Sequence, residues 1–256
     1  MVRTRVALVA AVVVAVAIGV AIAVWPSGKE QATATPTSTA STVASTTTTT
    51  APPAPFEAGD VIVPQVAVYD APDSPNDPII TLDNPTSEDV PLVLAVKQQG
   101  PAGWLQVQYN RRPNGATGWI HASDVSLRDL QNRVVISRSG HTLDVYKGTS
   151  DQVVFHAPVA VGSPDSPTPL GDFYVDIVVK LIHPTGPYGP YQLSVAGFSD
   201  VYQTFGTSAG QIAIHGTDQP FAIGDNVSHG CVRLSNEDVT ALVPFAPAGT
   251  PVTVVE

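Results

Sequence analysis

The hydrophobic pattern changes character three times along the chain. It begins with one unbroken apolar run, Val6–Trp25, which is 20 residues long, carries no charge and follows Arg3 and Arg5. At a rise of ~1.5 Å per helical residue such a run spans about 30 Å, the depth of a bilayer core. The two arginines favour a cytoplasmic start, so the rest is expected on the far side of the membrane. No polar face interrupts the run, which argues against a buried core helix. Its length favours an uncleaved transmembrane anchor over residues 1–25, whereas Ala21-Ile22-Ala23 is the A-x-A-like pattern of a cleaved signal. Both fates stay open. No Cys stands near the end of the run, so a lipid-anchored lipoprotein is excluded. Residues 26–55 are Thr, Ser, Ala and Pro almost throughout, without aromatic side chains or periodicity. They are expected to form a disordered linker, extended at its end by Pro52, Pro53 and Pro55. Fully stretched, it would reach on the order of 90 Å, enough to hold a head away from a membrane and inside a wall.

From residue 56 the pattern becomes short runs between turn signals. Gln65–Asp70, Ile79–Leu82, Val90–Val96, Trp104–Tyr109 and Thr117–His121 read as strands, with Asn114-Gly115 as a hairpin turn before the last. Five short strands in so few residues predict a small β barrel over 56–128. Trp104, Tyr109 and Trp119 are expected in its core. The run W-L-Q-V, R-P-N-G, T-G-W-I, S-D-V resembles bacterial Src-homology-three-like domains that accompany wall enzymes. Whether such a barrel is a spacer or binds the wall stays open.

Residues 129–256 continue the β pattern. Asn132–Ser137, Thr142–Lys147, Gln152–Val161 and Tyr174–Leu181 are separated by Gly- and Pro-rich turns, and consecutive hairpins predict an antiparallel sandwich or β-rich sheet. One helix is supported: Ser235 as its cap with Asp238 three residues on, Val239, Leu242 and Val243 on one face, and Pro244 as its end. Val252–Val255 reads as a closing strand. The predicted class is therefore mainly β: a transmembrane helix, a linker, a small barrel and a β-sandwich with one or two short helices.

Charge narrows the function. Only 13% of residues are charged, and the formal net charge is -10. Residues 56–256 hold 21 Asp and Glu against nine Lys and Arg. A head this acidic repels phosphate backbones, which excludes nucleic acid as a partner. The single Cys rules out an internal disulfide.

That Cys lies in the most informative stretch, Ile212–Leu234 (IAIHGTDQPFAIGDNVSHGCVRL). His215 ends an apolar run, and His229 stands two residues before Cys231. A thiol attacks as thiolate, and a nearby imidazole either lowers its pKa or takes its proton. A Gly/Asp/Asn-rich loop between residues 215 and 231 is long enough to fold one imidazole back onto the sulfur. Gly230 lets backbone approach a substrate, and N–H groups around Gly230 and Cys231 are candidate oxyanion donors. Two other readings compete: an inert buried thiol, and an open zinc site of His215, His229 and Cys231, for which H-x-C spacing with a single Cys is poor. His121, His141, His156 and His183 have no partner motif and read as surface or satisfied residues.

The pair His215-Gly216 and the run Ser228-His229-Gly230-Cys231-Val232-Arg233, with Thr168–Phe173 (TPLGDF) and Gly249–Val254 (GTPVTV), resemble the catalytic domain of the L,D-transpeptidases, enzymes that cross-link peptidoglycan. The resemblance implies Cys231 as nucleophile and His215 as general base and acid. It implies that the Gly216 carbonyl orients the imidazole, that His229 and Gly230 shape the oxyanion site, and that Ser228 is a structural hydrogen-bonding residue. Arg233 would hold the active loop or a substrate carboxylate, or form a structural salt bridge. Tyr188 and Tyr191 fall where the family has a substrate lid, although plain loop packing would also place them there. The implied partners are peptidoglycan stem peptides, with carbapenem-type β-lactams as inhibitors and no metal or other cofactor. The same thioester chemistry would suit an L,D-carboxypeptidase or endopeptidase, and a wall-binding protein with an inactive catalytic domain is a further alternative. The His-before-Cys order argues against a papain-like hydrolase, and the short gap between them against a sortase.

Overall fold

In period-two runs one face of each strand turns inward, and these inward residues build the core. In the computed structural model, residues 55–101, 103–206 and 209–256 are described. The predicted anchor, and the predicted linker up to residue 54, lie outside the described residues. No helix among the described residues is long and apolar enough to cross a membrane.

The first sheet runs in the order β6-β5-β4-β1-β7, formed by β1 (Phe56–Val61), β4 (Val93–Gln99), β5 (Trp104–Gln108), β6 (Thr117–His121) and β7 (Val125–Leu130). A separate hairpin of β2 (Gln65–Val68) and β3 (Ile80–Asp83) is tied to β6 by the bridge between Tyr69 and Trp119. Val66, Val68, Leu94, Leu105, Val107 and Ile120 are fully buried between hairpin and sheet. Each such side chain contributes about 1.5–3 kcal/mol on leaving water. The sequence missed β1 and β7. It also placed a tight turn at Asn114-Gly115, whereas the connection runs from residue 109 to 116, closed by Tyr109 N–H donating to the Ala116 carbonyl at 3.1 Å.

The chain enters the second sheet at Gln131. This sheet has the order β10-β9-β8-β17-β12-β13-β14-β16. Its strands are β8 (Asn132–Ser137), β9 (Thr142–Lys147), β10 (Val153–Pro158), β12 (Gly171–Lys180), β13 (Tyr191–Phe198), β14 (Gln211–His215), β16 (Val232–Arg233) and β17 (Pro251–Val255). A two-stranded piece, β11 (Val161–Gly162) with β15 (Asn226–Ser228), lies beside it. The long β12 serves both halves: Gly171–Tyr174 pair with β17, and Val175–Lys180 pair with β13. One core joins the halves, with Val134, Ile136, Leu143 and Val145 in the same cluster as Leu193, Val195, Ile212 and Ile214. The expected antiparallel arrangement is corrected here, because β17 runs parallel to β8 and β14 runs parallel to β16. Parallel neighbours need long crossovers, which local turn signals do not reveal.

The helix α1 (Asn236–Leu242) is capped as expected. The Asp238 N–H donates to Ser235 Oγ at 3.0 Å, and Ser235 Oγ donates to Asp238 Oδ2 at 2.7 Å. Val239 and Leu242 are buried. Pro244 does not stop the chain sharply; it sits in a tighter turn, Val243–Phe245, that extends the helix.

Polar side chains of the first sheet meet the second. Gln108, itself buried, donates to the Asp172 carbonyl at 2.9 Å, and Asn110 Nδ2 donates to Asp176 at 2.6 Å.

Candidate active site

Strand register brings the two reactive side chains together. In the parallel pair β14–β16, Ile214 faces Val232 and His215 faces Arg233. Continuing that register back one residue sets Cys231 opposite Ala213, and a hydrogen bond from the Ala213 backbone to the thiol agrees with it. Side chains alternate along a strand, so His215 and Cys231 share a face as diagonal neighbours. Both line one cleft of about 570 Å³.

The loop between them is strapped down at several points. Thr217 N–H donates to Asn236 Oδ1 at 2.9 Å, Gly224 N–H to the Val159 carbonyl at 3.1 Å, and Val161 N–H to the Asp225 carbonyl at 3.1 Å. The β11–β15 pair then returns the chain to Ser228.

His215 is buried, and its Nδ1 lies 2.6 Å from the Gly216 carbonyl. A carbonyl only accepts, so Nδ1 carries the proton and Nε2 keeps its lone pair. Burial pushes the His215 pKa down to about 4, opposed by the Gly216 carbonyl and reinforced by Arg233. The imidazole is therefore neutral at pH 7. Burial also pushes the Cys231 thiol up, opposed by the Ala213 hydrogen bond and the Arg233 charge. The resting pair is thiol and imidazole, not thiolate and imidazolium.

Ser228 organises the turn before the sulfur. Its Oγ donates to the Cys231 carbonyl at 2.5 Å and accepts from the Gly230 N–H at 3.1 Å. Gly230 has φ +117, a left-handed conformation that L side chains rarely adopt. The Gly230 N–H, one of the candidate oxyanion donors, is thus engaged by Ser228 in this structure. His229 turns its ring to the aromatic wall, with centroids 5.7 Å from Tyr202 and 5.0 Å from Phe205.

The rest of the cleft was partly legible. Tyr188 stands over His215 with ring centroids 4.7 Å apart. Tyr191 does not line the cleft but packs against the core cluster. Arg233 lines the cleft, makes no ion pair among the described residues, and keeps a buried Nε without a partner. Among the described residues no three His, Cys, Asp or Glu side chains gather as a metal-ligand set. Sequence reasoning missed Tyr202, Phe205 and Asn236. Asn236 fixes the Thr217 N–H beneath the Gly189 and Gly216 backbones, and no local pattern marks it. Glu88, from the loop between β3 and β4, reaches the cleft from the first sheet.

A buried imidazole and a thiol thus stand on one face at the adjacent parallel strands β14 and β16, behind a Ser-His-Gly-Cys turn. Residues 131–254 match the YkuD family model, the L,D-transpeptidase catalytic domain. Two Bacillus proteins carry the name "Putative L,D-transpeptidase YkuD". The chain is 38% identical to the one from Bacillus licheniformis over 48% of its own length and 64% of the relative's, and 36% identical to the one from Bacillus subtilis over 47% and 64%. The chain thus spans just under two thirds of these relatives. A solved L,D-transpeptidase from Mycobacterium tuberculosis H37Rv aligns over 64% of this chain and 90% of its own, at 20% identity and a TM-score of 0.42, too loose a likeness to carry an argument.

Proposed function

We propose that the protein is a peptidoglycan L,D-transpeptidase, with Cys231 as nucleophile and His215 as base and acid. The observation that carries the proposal is the shared strand face of His215 and Cys231 in one cleft. In the first step Cys231 Sγ bonds to the carbonyl carbon between the third residue and the terminal D-Ala of a tetrapeptide stem. His215 Nε2 takes the thiol proton as the bond forms. Collapse breaks the C–N bond, and His215 returns that proton to the departing D-Ala amine. A thioester now links the stem to Cys231. In the second step a side-chain amine of another stem attacks the thioester, gives its proton to His215, and expels the sulfur, which recovers the proton.

Arg233 supports the reading. An unpaired guanidinium beside the thiol suits the terminal carboxylate of the donor stem. The N–H groups of His229 and Cys231 stabilise the oxyanion. Carbapenem-type β-lactams acylate the same sulfur. The first sheet, with its β2–β3 hairpin, is the Src-homology-three-like domain read from its sequence. The N-terminal segment holds the enzyme on the wall side of the cytoplasmic membrane.

Incubation with a defined tetrapeptide muropeptide, read by mass spectrometry, is expected to give a dimer linked between third-position residues with release of D-Ala. Release of D-Ala without dimer would mark a hydrolase. A carbapenem is expected to add one covalent mass to the wild type and none to Cys231→Ala; an adduct persisting in the variant would remove Cys231 from its role.

A further inference from the structure

The connection between β5 and β6 does more than join two strands of the first sheet. Its tip lies against backbone on the connection between β13 and β14, at residues 199–206 and 209–210, and Ser199, Tyr202, Phe205, Gly206 and Gly210 of these line the cleft. Arg112 Nη1 donates to the Ser199 carbonyl at 3.0 Å, and Nη2 donates to the carbonyls of Tyr202 at 2.9 Å and Ala209 at 3.2 Å. Its guanidinium also sits 4.9 Å above the Phe198 ring. Two residues on, Asn114 pairs with Phe198 as a strand would: Nδ2 donates to the Phe198 carbonyl and Oδ1 accepts the Phe198 N–H, both at 2.8 Å. Gly210, at φ +72, permits the approach, since a Cβ there would collide with the Tyr202 carbonyl and come within 3.3 Å of Arg112 Nη2.

One cation thus gathers carbonyls from both flanks of the segment. Without it these oxygens lose their shared charged donor, and among the described residues only the Ser199 N–H bond to the Gly210 carbonyl at 2.8 Å still ties the two flanks directly. The first flank, residues 199–206, carries Tyr202 and Phe205, which line the cleft, have ring centroids 6.0 Å apart and both contact the His229 ring. His229 is two residues from the sulfur. A contact path therefore runs from the first sheet through Arg112, the Tyr202 and Phe205 wall, and His229 to the turn that presents Cys231.

We propose that Arg112 is a positioning residue of the active site, and that the first sheet serves the reaction by fixing the aromatic wall of the cleft through it. This rests on the transpeptidase reading above and adds a role for the first sheet other than spacer or wall-binding module. Arg112 touches no reacting atom; it acts through Tyr202, Phe205 and His229. An ordered wall matters to a long stem peptide that lies along it, and little to a small reagent that needs only the sulfur.

The test uses the full-length protein and Arg112→Ala. Transpeptidation kcat/KM is expected to fall about tenfold, while alkylation of Cys231 by iodoacetamide changes less than twofold. Hydrogen exchange is expected to quicken both in 199–206 and in 226–232. Arg112→Lys, which keeps the charge but loses the fork, is expected to lie between. In a Phe205→Ala background, replacing Arg112 by Lys is expected to cost less than twofold, because the wall it acts through is gone; this arm also serves if Arg112→Ala does not fold. Unchanged exchange in 226–232, a kcat/KM within twofold of wild type, or fully additive losses in the Phe205→Ala background would each overturn the proposal. If the wild type performs no transpeptidation, the activity reading fails separately, and the exchange at 226–232 alone decides the coupling.

Discussion

His215 donates its Nδ1 proton to the carbonyl of its own neighbour, Gly216, at 2.6 Å. That contact fixes the tautomer, with the proton on Nδ1 and the lone pair on Nε2. Burial disfavours the imidazolium, the Gly216 carbonyl offsets this only in part, and the Arg233 charge adds to it, so the pKa sits at about 4.

The pH–rate profile follows from that value. On the proposed mechanism His215 accepts a proton only when neutral, so kcat/KM for acylation is expected to rise with pH through about 4 and then stay level to neutrality. A titration of the initial rate between pH 3.5 and 8 checks it; an inflection near the ordinary histidine value of about 6.5 would mean that the imidazole is solvated.

Stability carries the same signature. The folded pKa is depressed, so between the ordinary value of 6.5 and about 4 the unfolded chain binds the proton that the folded state refuses. The stability that His215 supplies is present above 6.5 and is lost as pH falls toward about 4. Between pH 7 and 4.5 this amounts to about 2 kcal/mol. Urea unfolding at the two pH values is expected to show a smaller drop for His215→Gln than for wild type, by about that amount.

Ser228→Ala removes one hydroxyl and strands two groups, the Cys231 carbonyl and the Gly230 N–H. Each lost buried bond costs about 1–3 kcal/mol. We expect a lower thermal midpoint together with a larger loss of acylation rate than of substrate affinity, since the thiol loses its fixed presentation. Scanning calorimetry and single-turnover acylation measure the two separately.

Gly216→Ala tests the cradle beside His215. A Cβ at residue 216 would collide with Asn236 Oδ1 and come within 2.9 Å of Gly189 Cα. Asn236 would release the Thr217 N–H, and the segment carrying Tyr188 would lift from His215. We expect at least a hundredfold loss of kcat/KM, of the order seen when catalytic groups are slightly misplaced, with the inflection near pH 4 moved upward as water reaches the imidazole. Rate and pH profile in the folded variant check it.

How far the sequence reached is clearest strand by strand. Asn132–Ser137, Thr142–Lys147 and Thr117–His121 form where their alternation places them, because a half-buried strand shows its period locally. Tyr191–Phe198 escaped notice: Leu193 to Phe198 are all buried, so the strand shows no alternation, and the Gly-Pro-rich run before it reads as loop. Asn114 reads as turn chemistry and Arg112 carries no local signal, yet their side chains bind backbone 84 to 97 residues further on.

The sequence by itself marked His215 and Cys231 as candidates and determined the helix cap at Ser235 and the β character of the described residues, since these depend on residue type and short-range spacing. Tertiary structure alone decided that β14 and β16 run parallel and in a register that sets His215 beside Cys231. It also decided that Ser228 claims the Gly230 N–H and that the first sheet reaches the wall of the cleft. Those relations depend on crossovers and on the burial of distant groups against one another, and no local period encodes either.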